Sequence, residues 1–479
     1  MIPRPDRLTE FAAWNGRERA DVQWRFPRLG DIHVLRVPPG MTAPGLVERY
    51  RRSGLVQCAE LDGYLEPAAI PNDPLFTNGA LWGLNNTGQM GAVPDADIDA
   101  PEAWDISTSA GDVVVAITDS GVRYTHEDLA ANIWTNPGEI PNNGRDDDHN
   151  GYVDDIHGID AFASGGFCGN CAAGDPLDET GHGTRVAGIL GGVGNNSRGV
   201  VGVAWDVRMM VCKFIGSDGG SFADAVQCLE YAQENGARVV NMSVVGPTSS
   251  FSLSNAISAC GEAGIIIVAA AGNDNGVDID VSPRYPAAFN LSNIVSVMAI
   301  DRFNQRASFS NFGATNVDLA APGSLIYTTG YTAGRPSDTG YIADSGTSFA
   351  APYVAGALAL IWNRYPGEPY WKIIDRLCAA ADPVPTLAGR CVTGGRLNLY
   401  RALEPRPVLA GRRGPAPGQF TVDLRGGTPS QEYRLERSQD FLYWEPVATN
   451  TTTRLGRAQF VDTMVPAGTN YFYRATMGL

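Results

Sequence analysis

The sequence predicts an α/β protein: a parallel sheet flanked by helices, with a small α+β unit in front and a β-sandwich behind. Three observations carry this. Continuous β-branched runs at Val113–Thr118 and Ile265–Ala271 read as strands buried on both faces, the habit of parallel sheets. Helical stretches at Ala223–Glu234 and Leu253–Ala263 alternate with strands between Leu81 and Leu403, as in βαβ units. The chain is 479 residues long, enough for roughly two to four domains.

In chain order, residues 1–30 match no pattern and are read as an N-terminal extension. Residues 31–75 form a strand–helix–strand unit. Asp31–Pro38 alternates apolar and polar, Ala43–Arg52 places Leu46, Val47 and Tyr50 on one helical face, and Gly54–Leu61 is a second strand. The Pro-rich stretch Glu66–Pro74 reads as the exit from this unit. The main domain spans 76–403, and a Pro/Gly/Arg linker spans 404–418. Within 419–479, short alternating runs at Phe420–Leu424, Tyr433–Arg437, Tyr443–Pro446 and Tyr471–Ala475 predict a β-sandwich module.

Composition narrows the function. A net charge of −16 repels phosphate backbones, so neither nucleic acid nor an anionic membrane is an expected partner. The longest apolar stretch, Phe349–Trp362, is interrupted by Pro352 and falls short of the about 20 residues a membrane span needs. Met1–Glu10 lacks the apolar core of a signal peptide, so either there is none or the chain starts after it. Eight cysteines permit disulfides without assigning them. Cys168 and Cys171 form a C-x-x-C that reads as a disulfide or free thiols. Zinc would need two more ligands, and His157 alone is near. Cys378 and Cys391 flank a Pro-rich loop and could staple it.

Ligands of open α/β sheets bind beyond the carboxyl ends of the strands, so the residues just past each strand are the candidates for chemistry. The first buried strand ends at Asp119 in Asp-Ser-Gly-Val, and the strand Ile265–Ala271 leads into Gly272-Asn273. His182 opens a helix in Gly-His-Gly-Thr, and Ser348 opens the most apolar helix in Gly-Thr-Ser-Phe-Ala-Ala-Pro. These four types belong together chemically. A serine hydroxyl is a weak nucleophile until an imidazole takes its proton, and a buried carboxylate orients that imidazole. The tetrahedral oxyanion needs donors, here a carboxamide and the serine's own N–H.

The order Asp…His…Ser, with D-S-G-V, G-H-G-T-x-V-A-G, A-A-G-N and G-T-S-x-A-x-P, resembles the subtilisin-like serine proteases (subtilases) over about Leu81 to Leu403. The resemblance implies that Asp119 orients, His182 is general base and then acid, Ser348 attacks, and Asn273 completes the oxyanion hole. It implies the subtilisin-like fold and a serine endopeptidase, a hydrolase acting on polypeptides bound in extended form. Asn241–Gly246 matches the substrate-pairing strand, giving Ser243, Val244, Val245 and Gly246 as binding residues beside Gly272. Val245 stands where glycine is usual; it either crowds the specificity pocket or is a tolerated strand residue. Arg284, before Tyr285-Pro286-Ala287, falls at the expected base of that pocket, where its charge would favour acidic or polar P1 residues.

Two loops suggest structural calcium, with no organic cofactor. Gly194–Val200 resembles the family's strong calcium loop, with the Asn196 side chain, the carbonyls of Arg198 and Val200, and the Asp128 carboxylate as hard oxygen ligands. The second, Asp146–Asp155, has the D-x-D-x-N-G spacing of an EF-hand-type turn through Asp146, Asp148 and Asn150, with Asp155 beyond. No glutamate closes it and His157 sits there instead, so a solvated acidic loop is the alternative. The unit at 31–75 resembles a pro-region, implying a zymogen whose own N-terminal unit is an intramolecular inhibitor. Its removal takes Cys58 and leaves an odd number of thiols. The expectation is a monomeric, extracellular enzyme of bacterial type. A catalytically silent binding module and a hydrolase dedicated to esters or to one protein partner are the rival readings. The C-terminal module could bind an insoluble substrate or cell surface, or act as a passive stabiliser.

Overall fold

The computed structural model describes the chain except for residues 29, 63–68, 162–170, 173, 218, 333–334, 406, 415, 417, 440–442, 466–470 and 478–479. It divides into two compact units, Met1–Pro67 and Ala68–Leu479. Cys168 and part of the proposed pro-region tail lie outside the described residues.

The first unit corrects the reading of residues 1–30 as an extension. Ile2–Pro3 pairs antiparallel with Val56–Cys58, and Val22–Phe26 with Ile32–Leu35. The helix Leu8–Glu18 brings Phe11 into one core with Leu46, Val47 and Tyr50 of the helix Ala43–Ser53. Tyr50 is fully buried, and its hydroxyl donates to Asn15 Oδ1 at 2.6 Å. The first thirty residues therefore supply half of this small fold. Val22–Phe26 alternates apolar and polar residues, but Val22, Trp24 and Phe26 all stay exposed, so the alternation marks no buried face.

The second unit is built on a nine-stranded sheet. Its strand order is Asp382–Pro383, Gly395–Arg396, Leu319–Pro322, Ile294–Ile300, Ile266–Ala270, Val239–Met242, Ser109–Asp119, Asp206–Lys213 and Gly158–Asp160. All neighbours are parallel except the short Asp382–Pro383 edge. Both faces are covered. Val115 and Ile117 enter one apolar layer while Ala116 between them enters the other, so the strand reads as an unbroken run. From Ser109–Asp119 the chain goes first to Gly158–Asp160 and Asp206–Lys213 on one side and then to Val239–Met242 on the other. That reversal makes the carboxyl end of Ser109–Asp119 the topological switch point, where a site belongs.

The helix Thr347–Arg364 is buried along nearly its whole length against one face. A long antiparallel hairpin, Ile326–Thr332 with Arg335–Asp344, leads into it. Beyond the nine-stranded core, two three-stranded sheets close a small sandwich around Val422, Leu424, Leu435 and Phe460. One of its strands, Val408–Arg413, lies inside the predicted linker and pairs with Phe420–Arg425. The module seats on the core through its hairpin tip. Arg454 Nε meets Asp375 Oδ1 at 2.8 Å, Arg457 donates to the Thr393 carbonyl at 3.1 Å, and Leu455 packs on the main core. Cys58, Cys212, Cys228, Cys260, Cys378 and Cys391 are free thiols, so the expected Cys378–Cys391 staple is absent. Cys391 Sγ faces Thr393 Oγ1 and the Gly395 carbonyl instead.

Candidate active site

Asp119, the last residue of the switch-point strand, is fully buried. Its Oδ1 receives the Ser120 N–H at 2.7 Å and meets His182 Nδ1 at 2.7 Å. His182 is the first residue of the helix His182–Gly191. The helix approaches the strand so closely that a Cβ on Gly183 would lie 2.1 Å from the Gly121 carbonyl, which is why glycine comes directly after the histidine. Burial works against charge on the imidazole, but the Asp119 carboxylate outweighs it and holds the His182 pKa above its ordinary value.

Ser348 is the second residue of the helix Thr347–Arg364, so its backbone N–H is one of the unpaired donors of a helix start. Pro352, four residues on, has no N–H to offer the Ser348 carbonyl. That freed carbonyl accepts from Ser243 Oγ at 2.9 Å, while Ser348 Oγ donates to the Ser243 carbonyl at 3.1 Å. This reciprocal pair ties the turn that carries Ser348 to the end of the strand Val239–Met242. Ser348 Oγ thus rests on a backbone carbonyl, while the ring of the next residue, Phe349, lies 5.6 Å from that of His182. Hydrogen bonds of active sites commonly tighten only when substrate is bound.

Asn273 lies just past the strand Ile266–Ala270. Its Oδ1 accepts from Thr347 N at 2.9 Å and Thr347 Oγ1 at 3.1 Å, which fixes the amide and leaves Nδ2, beside Gly346, without an acceptor among the described residues. Nδ2 and the Ser348 N–H are therefore two donors held at the start of one helix. Gly272 has φ of 103° and no room for a Cβ, which would lie 2.5 Å from Asn311 Nδ2.

A cavity of about 510 Å³ opens beside His182 and Ser243. Its walls are apolar: Phe214, Ile215, Phe222, Val244, Leu253, Tyr285 and Pro286 among them, with Val245 and Gly246 at one side. Gly246 exchanges backbone hydrogen bonds with Tyr285 in both directions at 2.9 Å, which closes the wall and commits its N–H. Arg284 is a correction. It does not line the cavity; Nε pairs with Asp274 Oδ2 at 2.9 Å, and NH1 binds the Ser282 and Pro283 carbonyls. Its charge is spent within its own loop, which removes the reason to expect acidic P1 residues.

The structure brings together most of the first calcium loop and adds to it. Asn196 Nδ2 and Val200 N donate to the two oxygens of Asp128 at 2.7 and 2.9 Å, and the Arg198 N–H donates to Asn196 Oδ1 at 2.8 Å. Asp73, which the sequence did not single out, accepts from Asn195 N at 2.7 Å and Asn196 N at 3.3 Å. Asp73 and Asp128 are both fully buried without an ion pair among the described residues, and burial pushes both carboxyls up. Two desolvated carboxylates lacking a basic partner suit a hard cation.

In the second loop Asp146 caps the turn through the N–H groups of Asn150 and Gly151. The cluster that could hold an ion is Glu139, Asp148 and Asp155, with carboxylate oxygens within 4.8 Å of one another. Asn150 Nδ2 bridges Asp148 and Asp155 at 3.1 and 2.9 Å, and Asp155 also receives the Tyr231 hydroxyl at 2.6 Å. The acid missing from the closing position is thus supplied from upstream by Glu139. His157 instead turns Nδ1 to the Trp134 carbonyl and stacks near Tyr124.

Comparison with known proteins agrees with this geometry. The subtilase family profile matches residues 110–376. The chain is 32% identical to thermitase of Thermoactinomyces vulgaris over 335 residues, covering 70% of this chain and 99% of thermitase. It is 34% identical over 362 residues to an extracellular protease of Xanthomonas campestris, covering 72% of this chain and 58% of that longer protein. A solved protease structure from Pseudoalteromonas arctica superposes with a TM-score of 0.56 at 29% identity, over 70% of this chain and 99% of that one.

Proposed function

The chain belongs to the subtilase family, the subtilisin-like serine proteases, and from that premise we propose that Asp119, His182 and Ser348 are its catalytic triad. The observation that carries this is the 2.7 Å contact between His182 Nδ1 and buried Asp119, at the switch point of the sheet and beside the seat of Ser348. His182 Nε2 takes the Ser348 proton as Oγ attacks the peptide carbonyl. Asn273 Nδ2 and the Ser348 N–H receive the oxyanion, assisted by the helix start. His182 then protonates the leaving amine, and water attacks the acyl-enzyme by the same route in reverse. The substrate is an extended polypeptide whose apolar side chains fill the cavity beside His182.

The enzyme is made as a secreted zymogen in which the unit Met1–Pro67 inhibits the peptidase; that unit's separate core supports this. Structural calcium sits at the Asp73–Asp128–Asn196 loop and at Glu139–Asp148–Asp155, in an enzyme that works as a monomer without organic cofactor. No described helix is long and apolar enough to cross a membrane.

Intact-mass spectrometry over time, with and without phenylmethylsulfonyl fluoride, tests the reading. Loss of the N-terminal unit, blocked by a single adduct at Ser348, is the expected result. A chain that neither labels nor cleaves a peptide library would overturn it.

A further inference from the structure

We propose that Asp178 is a positioning residue for the triad, fastening the strand end that carries Asp119 to the helix that carries His182. The proposal rests on the assignment of Asp119, His182 and Ser348 as the triad. Asp178 lies four residues before His182 and is fully buried. Every group that reaches it is a donor. Its Oδ1 accepts from Ser120 Oγ at 3.0 Å, Thr180 N at 2.9 Å, Thr180 Oγ1 at 3.3 Å and Gly181 N at 2.8 Å. Its Oδ2 accepts from Thr184 N at 3.0 Å and Thr184 Oγ1 at 2.6 Å.

Ser120 completes the link. Its N–H donates to Asp119 Oδ1 at 2.7 Å, and its Oγ accepts from Gly183 N at 3.0 Å. One carboxylate, through one hydroxyl, therefore connects residues on both sides of His182 to the neighbour of Asp119. The chain extends further, since Thr184 Oγ1 accepts from Arg123 N at 3.0 Å. A carboxylate without an ion pair among the described residues is costly to bury unless its acceptor sites are filled, and here they are. Asparagine could not substitute: it would turn an N–H₂ group toward the donors of either Thr184 or Ser120 and Thr180.

The charge has a second consequence. The groups that face His182 are Asp119 from the strand, Arg185 from its own helix and Asp178 from the preceding loop. Asp119 and Asp178 favour the imidazolium; burial and Arg185 oppose it. Asp178 thus acts on the general base in two separable ways, by holding its helix start in place and by adding negative charge behind the ring.

Asp178→Asn and Ser120→Ala separate the two. In Asp178→Asn, kcat on a peptide substrate should fall on the order of 10²-fold, as for about an ångström of misplacement, with KM little changed. The acid limb of its kcat/KM profile should move to lower pH, a shift that a merely structural strut would not produce. Ser120→Ala keeps the charge but cuts the link, so kcat should fall while the acid limb stays. Wild-type kcat in either variant, or an unmoved limb in folded Asp178→Asn, overturns the proposal. Should Asp178→Asn fail to fold, Ser120→Ala decides by its kcat. A wild-type chain that is itself inert overturns the triad assignment instead, and this proposal with it.

Discussion

Ser348 and His182 set the residue-scale expectations. The base must be neutral to accept the Ser348 proton, and the Asp119 carboxylate raises the pH at which the imidazole loses its own. The acid limb of kcat/KM should therefore lie above the ordinary histidine value of about 6.5, and a limb below it in a stopped pH series would contradict the assignment. Asn273→Ala removes one of the two proposed oxyanion donors, and with it the acceptor of Thr347 N and Oγ1, leaving Thr347 Oγ1 its bond from Gly272 N. Its kcat should fall on the order of 10²–10³-fold with KM nearly unchanged, as measured by steady-state kinetics. At this scale the sequence was informative wherever chemistry demands a particular residue beside a particular turn. Asp119, His182, Ser348 and Asn273 each sit in such a turn. Asp73 and Glu139 escaped notice because each joins its loop across a distance that only folding closes; Asp73 meets Asn195 from 122 positions away.

At the scale of elements, close approach between a strand end and a helix start governs the site. Gly183 is the tightest instance. In Gly183→Ala the new Cβ meets the Gly121 carbonyl, so the His182 helix must retreat from Asp119. We expect a loss of about 1–3 kcal/mol in stability, read by denaturant melts, together with a larger proportional loss of kcat. The buried strands were legible because a parallel sheet covered on both faces has no polar side to alternate with. The strands Val22–Phe26 and Val408–Arg413 were not: their apolar residues stay largely exposed, and Val408–Arg413 runs through a Pro/Gly/Arg-rich stretch that reads as linker. The acidic loop was legible as an acidic loop, while its partner acid came from a different turn of the chain.

The whole molecule carries the calcium and maturation predictions. Burial raises the carboxyls of Asp73, Asp128 and Asp155, so without a cation the folded state holds protons that the unfolded state has released. Stability of the cation-free protein should then fall as pH rises from the usual aspartate value through these raised ones. Chelation should lower Tm by roughly 5–10 °C near neutral pH and by less at about pH 5, as read by scanning calorimetry. An EDTA effect that is absent, or larger in acid, would reject both sites.

The clasp of Arg454, Leu455 and Arg457 on the peptidase core has a kinetic meaning. A protease at working concentration is surrounded by copies of itself, and what they cut is whatever opens. The rate of opening, rather than the equilibrium, sets how long such a molecule lasts when cleavage outpaces reclosure. The helix Tyr370–Ala380 and the segment 391–396 lie at the far edge of the sheet, where peeling would start. The appended sandwich pins both at Asp375 and Thr393, so Arg454→Ala with Arg457→Ala is expected to shorten the lifetime of the enzyme among its own kind.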